Sequence, residues 1–557
     1  MSKKKVNDYH WDKEGVNDDE IALTEHNRHQ MRDLLNQTGK GFCLAKWTQV
    51  TMHLGNGLTH SCHHPGAHSI PLDELKENPS ALHNTKFKKE RRKEMLRGDR
   101  PSECDFCWRV EDNTEEFSDR VLKSLPTFSS PHHDKISELD GDEDVFPTYV
   151  EVSFGRTCNF KCAYCGPPFS SQWEQEIKQH GPYNVFNHFF NPIKESEKHI
   201  PNNEHNPYIE AFWEWFPEAY KHMHTFRITG GEPLLIKDTM KVIDFLIKNP
   251  NPNLNFAINS NGCPPGKIWD EFIEKVNILT KNKCVKKFEL YTSAEATGKQ
   301  NDFIRDGMDW DLFVTNIEKF LKNTKGTKIV FMCAFNVLSA STFKEFLEWV
   351  LYLKQTYSYQ GWFKWLEEEG YIDVDEDSMT FAERKEHNMD VHNRVAVDIP
   401  YLRHPQFLDA NILDVSMIKK YMMPALEFMY DNAGTGDWYI TQKFESHESL
   451  KLKRNVVNMM LVAKQVGEDG LTLNPEIRAN RAKFALFMKQ YSNRRGKNFH
   501  EVFPEYADFY QLCMREYRKM FNAPEDETDF SSGIQKSAKD KHSLKRANEL
   551  AFAKKEI

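Results

Sequence analysis

No stretch of the chain holds about 18 consecutive apolar residues, so no membrane-spanning helix is expected. The opening residues, MSKKKVNDYHWDKEG, have no apolar segment behind their lysines, so no secretory signal is expected either. An excess of positive charge is also lacking: 74 Lys and Arg stand against 83 Asp and Glu, a net charge of −9. That balance argues against a nucleic-acid partner, which usually meets a basic surface. Two local basic stretches, FKKERRKEMLR (87–97) and KSAKDKHSLKRANELAFAKK (536–555), are read as solvated helix faces. Cysteine is sparse, 11 in 557 residues, far from the density of a disulfide-stapled secreted scaffold. These absences point to a reducing, cytoplasmic setting. There, grouped cysteines more often bind metal or do chemistry than form disulfides.

What is present supports a large folded chain. Hydrophobic residues make up 39%, enough for a sizeable core. Residues 1–40 read as a polar N-terminal segment. Residues 41–125 carry Cys43, Cys62, Cys104 and Cys107. Within them WTQVTMHLGNGLTHSC alternates on both sides of Gly55-Asn56-Gly57, which predicts a hairpin ending at Cys62. Residues 126–147, rich in Pro, Ser and acids, read as a linker. From 148 to 405, strand patterns alternate with helical ones: TYVEVSF, FRITG, NFAINSNG, KKFELYTSAEA, TKIVFMCAFNVLS and, after the acidic insertion LEEEGYIDVDEDSMT, NRVAVDIPYL. Such alternation means a parallel sheet with crossover helices, and six units predict an α/β fold, a partial (β/α)6 TIM-like barrel. No GxGxxG follows any of these strands, which weakens a flat dinucleotide-binding fold. Residues 406–520 read as a helical C-terminal region and 521–557 as a flexible charged tail.

The chemistry concentrates in GRTCNFKCAYCGPP, at the end of the first barrel strand. Cys158, Cys162 and Cys165 can converge on one metal centre. A [4Fe-4S] cluster usually takes four cysteines, so three would leave one iron open. A zinc site usually closes with a fourth Cys or His, and this loop supplies none; zinc or free thiols remain the alternative. The next strand ends in Thr229-Gly230-Gly231-Glu232-Pro233. Paired glycines let a ligand approach the backbone, and the carboxylate beside them can accept from an ammonium group. An ordinary Gly-Gly turn is the alternative there.

In this order the residues resemble the radical S-adenosylmethionine (radical SAM) superfamily over about 148–405. The triplet matches the CxxxCxxC loop, with Tyr164 as its aromatic residue, and Thr229 to Pro233 match GGEP, which in the family binds the methionine amino group. Asn259 and Asn261, with Ser260, lie where the third strand carries a polar motif. Ser293 and Glu295 lie where the fourth often meets ribose or the methionine carboxylate, and Arg305 follows as a further SAM contact. The resemblance implies a barrel of the radical SAM type, a SAM-binding [4Fe-4S] cluster, and SAM chelated at the open iron. It implies one-electron cleavage of SAM and hydrogen abstraction by the 5'-deoxyadenosyl radical. It also implies an electron donor such as flavodoxin or ferredoxin.

The first cysteine set is open to two readings from spacing. Cys104-x2-Cys107 with Cys62 and Cys43 could close a second cluster or a four-cysteine zinc site. The segments FCLAKWTQVTMHLGNGLTHSCHH and KKERRKEMLRGDRPSECDFCWRVED look like the auxiliary [4Fe-4S] module of twitch or SPASM-like radical SAM proteins. Many of these have two adjacent cysteines where this chain has Ser61-Cys62, so His63 or His64 could replace Cys43. Of the remaining cysteines, Cys263 could approach the site as a hydrogen donor, and Cys284, Cys333 and Cys513 read as core. Tyr291 shares the parity of Ser293 and Glu295 and is a second candidate hydrogen donor. The auxiliary-module relatives favour a peptide or protein substrate. A small molecule such as a sugar, nucleoside or cofactor precursor is the alternative, and a non-enzymatic metal-binding scaffold is a further one.

Overall fold

In the computed structural model, residues 4–11, 24–183, 185, 190–194, 197–201, 203–357, 394–400, 402, 404–434 and 443–521 are described. The acidic insertion at 366–380, the basic stretch at 536–555 and all but the first residue of the expected tail lie outside them. The chain divides into two compact units. One holds residues 1–157, 195–259 and 278–288; the other holds 158–194, 260–277 and 289–557.

In the first unit the expected hairpin forms. Strands β1 (Gln49–His53) and β2 (Leu58–His60) pair antiparallel, with Thr51 opposite His60, and β3 (His68–Ser69) continues from β2. Gly57 makes the turn at φ +66, and a Cβ there would stand 2.1 Å from the Tyr208 ring, so only glycine fits. β1 then pairs in parallel with β4 (Tyr149–Ser153), which adds the hairpin to the edge of the barrel sheet. The short strand β5 (Lys161–Cys162) belongs to the second unit. β6 (Thr225–Thr229) and β7 (Asn251–Asn259) follow β4 in parallel, and β8 (Val285–Thr292) runs from the first unit into the second. The first unit's order is therefore β3-β2-β1-β4-β6-β7-β8. In β7 the run Leu254–Ile258 is buried on both faces, the pattern of a covered parallel strand. Helix Lys237–Lys248 turns Thr239, Val242, Ile243 and Leu246 inward at helical spacing.

Three stretches of this unit differ from their sequence reading. The polar N-terminal segment contains the helix Glu25–Asn36, capped by Thr24, whose Met31, Leu34 and Leu35 join a core with Phe42, Trp47 and Met95. The stretch read as a linker places Ile136 in that same core. The basic stretch 87–97 is only partly a solvated face. Lys88 and Arg92 are buried; Lys88 donates to Thr59 Oγ1 (3.0 Å), and Arg92 donates to the Lys46 carbonyl (3.2 Å) and to Asn84 Oδ1 (2.8 Å). These cations satisfy oxygen atoms that burial would otherwise orphan.

In the second unit the order is β8-β10-β11, with β10 (Thr327–Met332) parallel to β11 (Val395–Asp398), the sixth barrel strand. β5 pairs with β9 (Arg305–Asp306) as a separate two-stranded ribbon. Helix Phe343–Tyr357 follows β10, and helices Ser446–Ala463, Pro475–Arg495 and Ala507–Phe521 lie further along the chain. The fold is thus mixed α/β, with the parallel sheet of a partial barrel.

The fully buried carboxylate of Glu448 accepts from the Val397 N–H of β11 (2.7 Å) and from the buried Lys354 ammonium (3.3 Å). Glu448→Ala leaves both donors without that acceptor. We expect a loss of about 3 kcal/mol, the low end for a broken buried pair because Glu445 also faces Lys354. Urea unfolding of the variant against the parent measures it.

Candidate active site and second cysteine cluster

Parallel register brings β4 and β6 to an end level with each other, at Ser153 opposite Thr229. The backbones beyond them meet closely. Gly231 N–H donates to the Gly155 carbonyl (3.2 Å) and Glu232 N–H to the Thr157 carbonyl (2.7 Å). A Cβ on Gly230 would lie 2.6 Å from Gly155 O, and one on Gly231 would lie 2.4 Å from Thr157 O. Gly230 also sits at φ +127, so both positions demand glycine. Glu232 is fully buried and caps the turn Pro233–Leu235 by accepting from Leu234 N–H (3.1 Å). Thr229 donates to Glu151 (3.4 Å), and Asn259 Oδ1 accepts from Arg227 Nε (2.8 Å). All of this lies in the first unit, and the chain enters Cys158 directly after Thr157.

In the second unit the cysteine loop is held by its backbone. Cys162 lies in β5, opposite Arg305 of β9, and Cys165 N–H donates to the Cys162 carbonyl (3.0 Å). Ser170 caps the helix Ser171–His180 and donates to the Phe160 carbonyl (2.7 Å), while Trp173 Nε1 donates to the Cys162 carbonyl (2.9 Å). Burial pushes the Cys162 and Cys165 thiols up, and for Cys165 the neighbouring Cys162 and Cys158 sulfurs add to it. Arg305 opposes this at both. Cys165 thus lies near both other sulfurs of the triplet, and three cysteines on one loop are a donor set suited to iron.

The other candidates divide. Glu295 and Arg305, both buried, bind each other (Oε2 to Nε, 2.9 Å), and Arg305 lies over the ring of Tyr164 at 5.8 Å. They form one buried group against the cysteine loop, each engaged with the other. Asn261 donates to Asn159 Oδ1 (2.7 Å), and Asn159, inside the triplet, donates to the Cys263 carbonyl (2.9 Å). The third-strand motif therefore braces the cysteine loop. The buried Cys263 thiol points toward the Asp309 carbonyl (3.9 Å). Tyr291 donates to Glu289 (3.1 Å), and Ser293 is half-buried. Cys284, Cys333 and Cys513 are buried, as core residues should be.

Sequence reasoning missed Arg495, at the end of helix Pro475–Arg495. Its guanidinium donates to the Lys161 carbonyl (2.6 Å) and to Glu176 Oε2 (3.0 Å), and lies over the rings of Tyr491 (3.8 Å) and Trp173 (4.5 Å).

Cys43, Cys62, Cys104 and Cys107 all line one small pocket of the first unit. Burial pushes the Cys104 thiol up to about 11 and that of Cys107 up to about 12; Cys62 and Cys43 are raised as well. Cys43 is raised further by the other three sulfurs. The buried Lys46 ammonium, paired with Glu103, lies beside Cys104 and opposes its rise. Among the described residues, no three of these sulfurs lie within 4.8 Å of one another. Around a single zinc with Zn–S of about 2.3 Å they would stand about 3.8 Å apart. His63 and His64 turn to Asp119.

Arg495→Met should lower the iron retained by the triplet after anaerobic reconstitution and alter the electron paramagnetic resonance signal of the reduced cluster. Arg495→Lys keeps the charge but not the planar fork, so it should restore only part of both. Full iron and an unchanged signal in Arg495→Met would exclude this positioning role.

The model of the radical SAM superfamily matches residues 152–350. Curated relatives include the GTP 3',8-cyclase of Nautilia profundicola, 28% identical over 134 residues, 23% of this chain and 34% of that protein. The GTP 3',8-cyclase of Pasteurella multocida is 24% identical over 206 residues, 36% of this chain and 49% of that protein. The molybdenum cofactor biosynthesis protein moc-5 of Caenorhabditis elegans is 24% identical over 156 residues, 27% of this chain and 22% of that protein. The chain thus spans between about a fifth and a half of the length of these relatives. A crystal structure of Streptococcus suis SuiB matches 66% of this chain and 75% of that one at 15% identity, with a TM-score of 0.27, too low to bear on the fold. The strand order and the match agree: residues 152–350 carry a domain of the radical SAM superfamily, and the protein is an enzyme.

Proposed function

We propose that this chain binds a [4Fe-4S] cluster through Cys158, Cys162 and Cys165, cleaves SAM reductively, and acts on a small molecule. The observation that carries the reading is the cysteine loop, whose backbone is fixed on each side and whose Cys158 and Cys162 sulfurs lie near enough to Cys165 to raise its thiol. With SAM on the open iron, such a cluster supplies a 5'-deoxyadenosyl radical that abstracts hydrogen from the substrate. The chain's own part is to hold and shield. The Gly230–Glu232 turn offers backbone groups to the methionine end of SAM. Tyr164, Asn259, Asn261, Ser293, Glu295 and Arg305 are the further candidates for shaping that site. Tyr291 and Cys263 are the candidate hydrogen donors, though Tyr291 is bonded to Glu289 within its own strand and the Cys263 thiol points to the Asp309 carbonyl.

The substrate reading moves from peptide to small molecule. The curated relatives are named for cyclisation of GTP and for molybdenum cofactor biosynthesis, which favours a purine nucleotide or a similar compact anion over a peptide. Cys43, Cys62, Cys104 and Cys107 are proposed to hold an auxiliary [4Fe-4S] cluster of the twitch type. Their spacing is wider than one zinc requires. Four protein ligands leave no iron for substrate, so electron relay from a flavodoxin- or ferredoxin-like donor is the favoured role.

Anaerobic reconstitution should give about eight irons per chain, and dithionite should release 5'-deoxyadenosine from SAM. Changing Cys158, Cys162 and Cys165 together to Ala should leave about four irons and no cleavage. If that variant still cleaves SAM, the site assignment fails. Purine nucleotides should stimulate cleavage and gain a mass change, and a response to peptides alone would reverse the substrate class.

Cys104→Ala with Cys107→Ala should also leave about four irons, but should retain dithionite-driven SAM cleavage. Bound zinc with full iron in the parent protein would assign the first set to zinc instead.

A further inference from the structure

We propose that His63, His64 and Asp119, beside the first cysteine set, form a binding site for a divalent transition-metal ion that takes none of the cysteine sulfurs. His64 Nε2 lies 2.8 Å and His63 Nε2 3.3 Å from the same oxygen, Asp119 Oδ2, and the three ligand atoms all fall within 4.8 Å of one another. Around a tetrahedral ion with bonds of about 2.0–2.1 Å, ligand atoms stand about 3.3 Å apart. The His63 distance matches that edge, and the His64 distance must open by about half an ångström to reach it.

Adjacent residues do not ordinarily aim at one point, since in extended chain successive side chains face opposite ways. Here residues 61–65 form a continuous bend, and the two imidazoles lie with ring centroids 4.3 Å apart. His64 is held in orientation by stacking on Phe106 at 3.7 Å, with the planes 11° apart. Asp119 starts the helix Asp119–Ser124, and its carboxyl is held below its usual range despite burial, by His64, Lys123 and His63.

The donor set selects the ion. Two imidazoles with one carboxylate suit zinc and the first-row divalent ions, not calcium or magnesium, which prefer all-oxygen shells. The side chain of His63 is 61% exposed, whereas those of Asp119 and His64 are 22% and 9% exposed. One side of the site thus faces water, which can complete the coordination. A bound ion would tie the bend after Cys62 to the helix carrying Asp119, on the wall of the auxiliary cysteine pocket.

The test uses the full chain with its clusters already reconstituted, so that cysteine thiols are engaged, and titrates it with cobalt(II). We expect about one cobalt per chain, with d–d bands of a nitrogen and oxygen shell and no thiolate charge-transfer band. Asp119→Asn and His63→Ala should each weaken binding at least about tenfold, with iron content unchanged. His63 is exposed, so its variant tests the site without disturbing the core. Unaltered cobalt binding in both variants, no binding beyond the clusters, or a thiolate charge-transfer band would overturn the assignment.

Discussion

The exits of β4 and β6 depend on a place where two backbones touch with no side chain between them. β4 and β6 finish level, and their continuations approach until Gly230 and Gly231 have no room for a Cβ. This closeness lets Gly231 and Glu232 donate to the Gly155 and Thr157 carbonyls, the last residues before Cys158. A substituent on either glycine would push the strand exits apart. The motif is therefore a packing constraint in its own right. Its backbone bonds exist before any ligand arrives, so the geometry is preorganised.

Local pattern made much of this legible. The triplet spacing, the Gly-Gly turn and the hairpin around Gly57 are short-range features whose meaning does not wait on distant partners. The sixth strand at Val395–Asp398 was readable for the same reason, through its apolar run. Long-range partnership hid the rest. Arg495 reaches a carbonyl 334 residues away, and no periodicity announces that. Lys88 and Arg92 lie in a stretch whose composition reads as solvated, yet each finds buried oxygens on other elements. Glu295 and Arg305 stood out as ligand contacts, and only coordinates show that they bind each other. For Lys88 and Arg92 charge alone set the expectation, and for Glu295 and Arg305 a resemblance did, whereas the available partner decides where a charged side chain rests.

Both cysteine sets share one electrostatic device. Burial favours the neutral thiol, while metal ligation needs thiolate, so each set pays an opposing desolvation cost. Near Cys162 the Arg305 and Arg495 guanidinium groups oppose that rise, and near Cys104 the Lys46 ammonium does the same. Every one of these cations is itself held by a carboxylate: Glu295, Glu176 and Glu103 respectively. Paired in this way, the cations are stable in the buried loop while the sulfurs are still protonated. When thiolates form, the same cations already stand beside them and need not be recruited from solvent. The pairing thus reconciles two demands that would otherwise conflict, a folded chain before metal arrives and a stabilised set of anions afterwards.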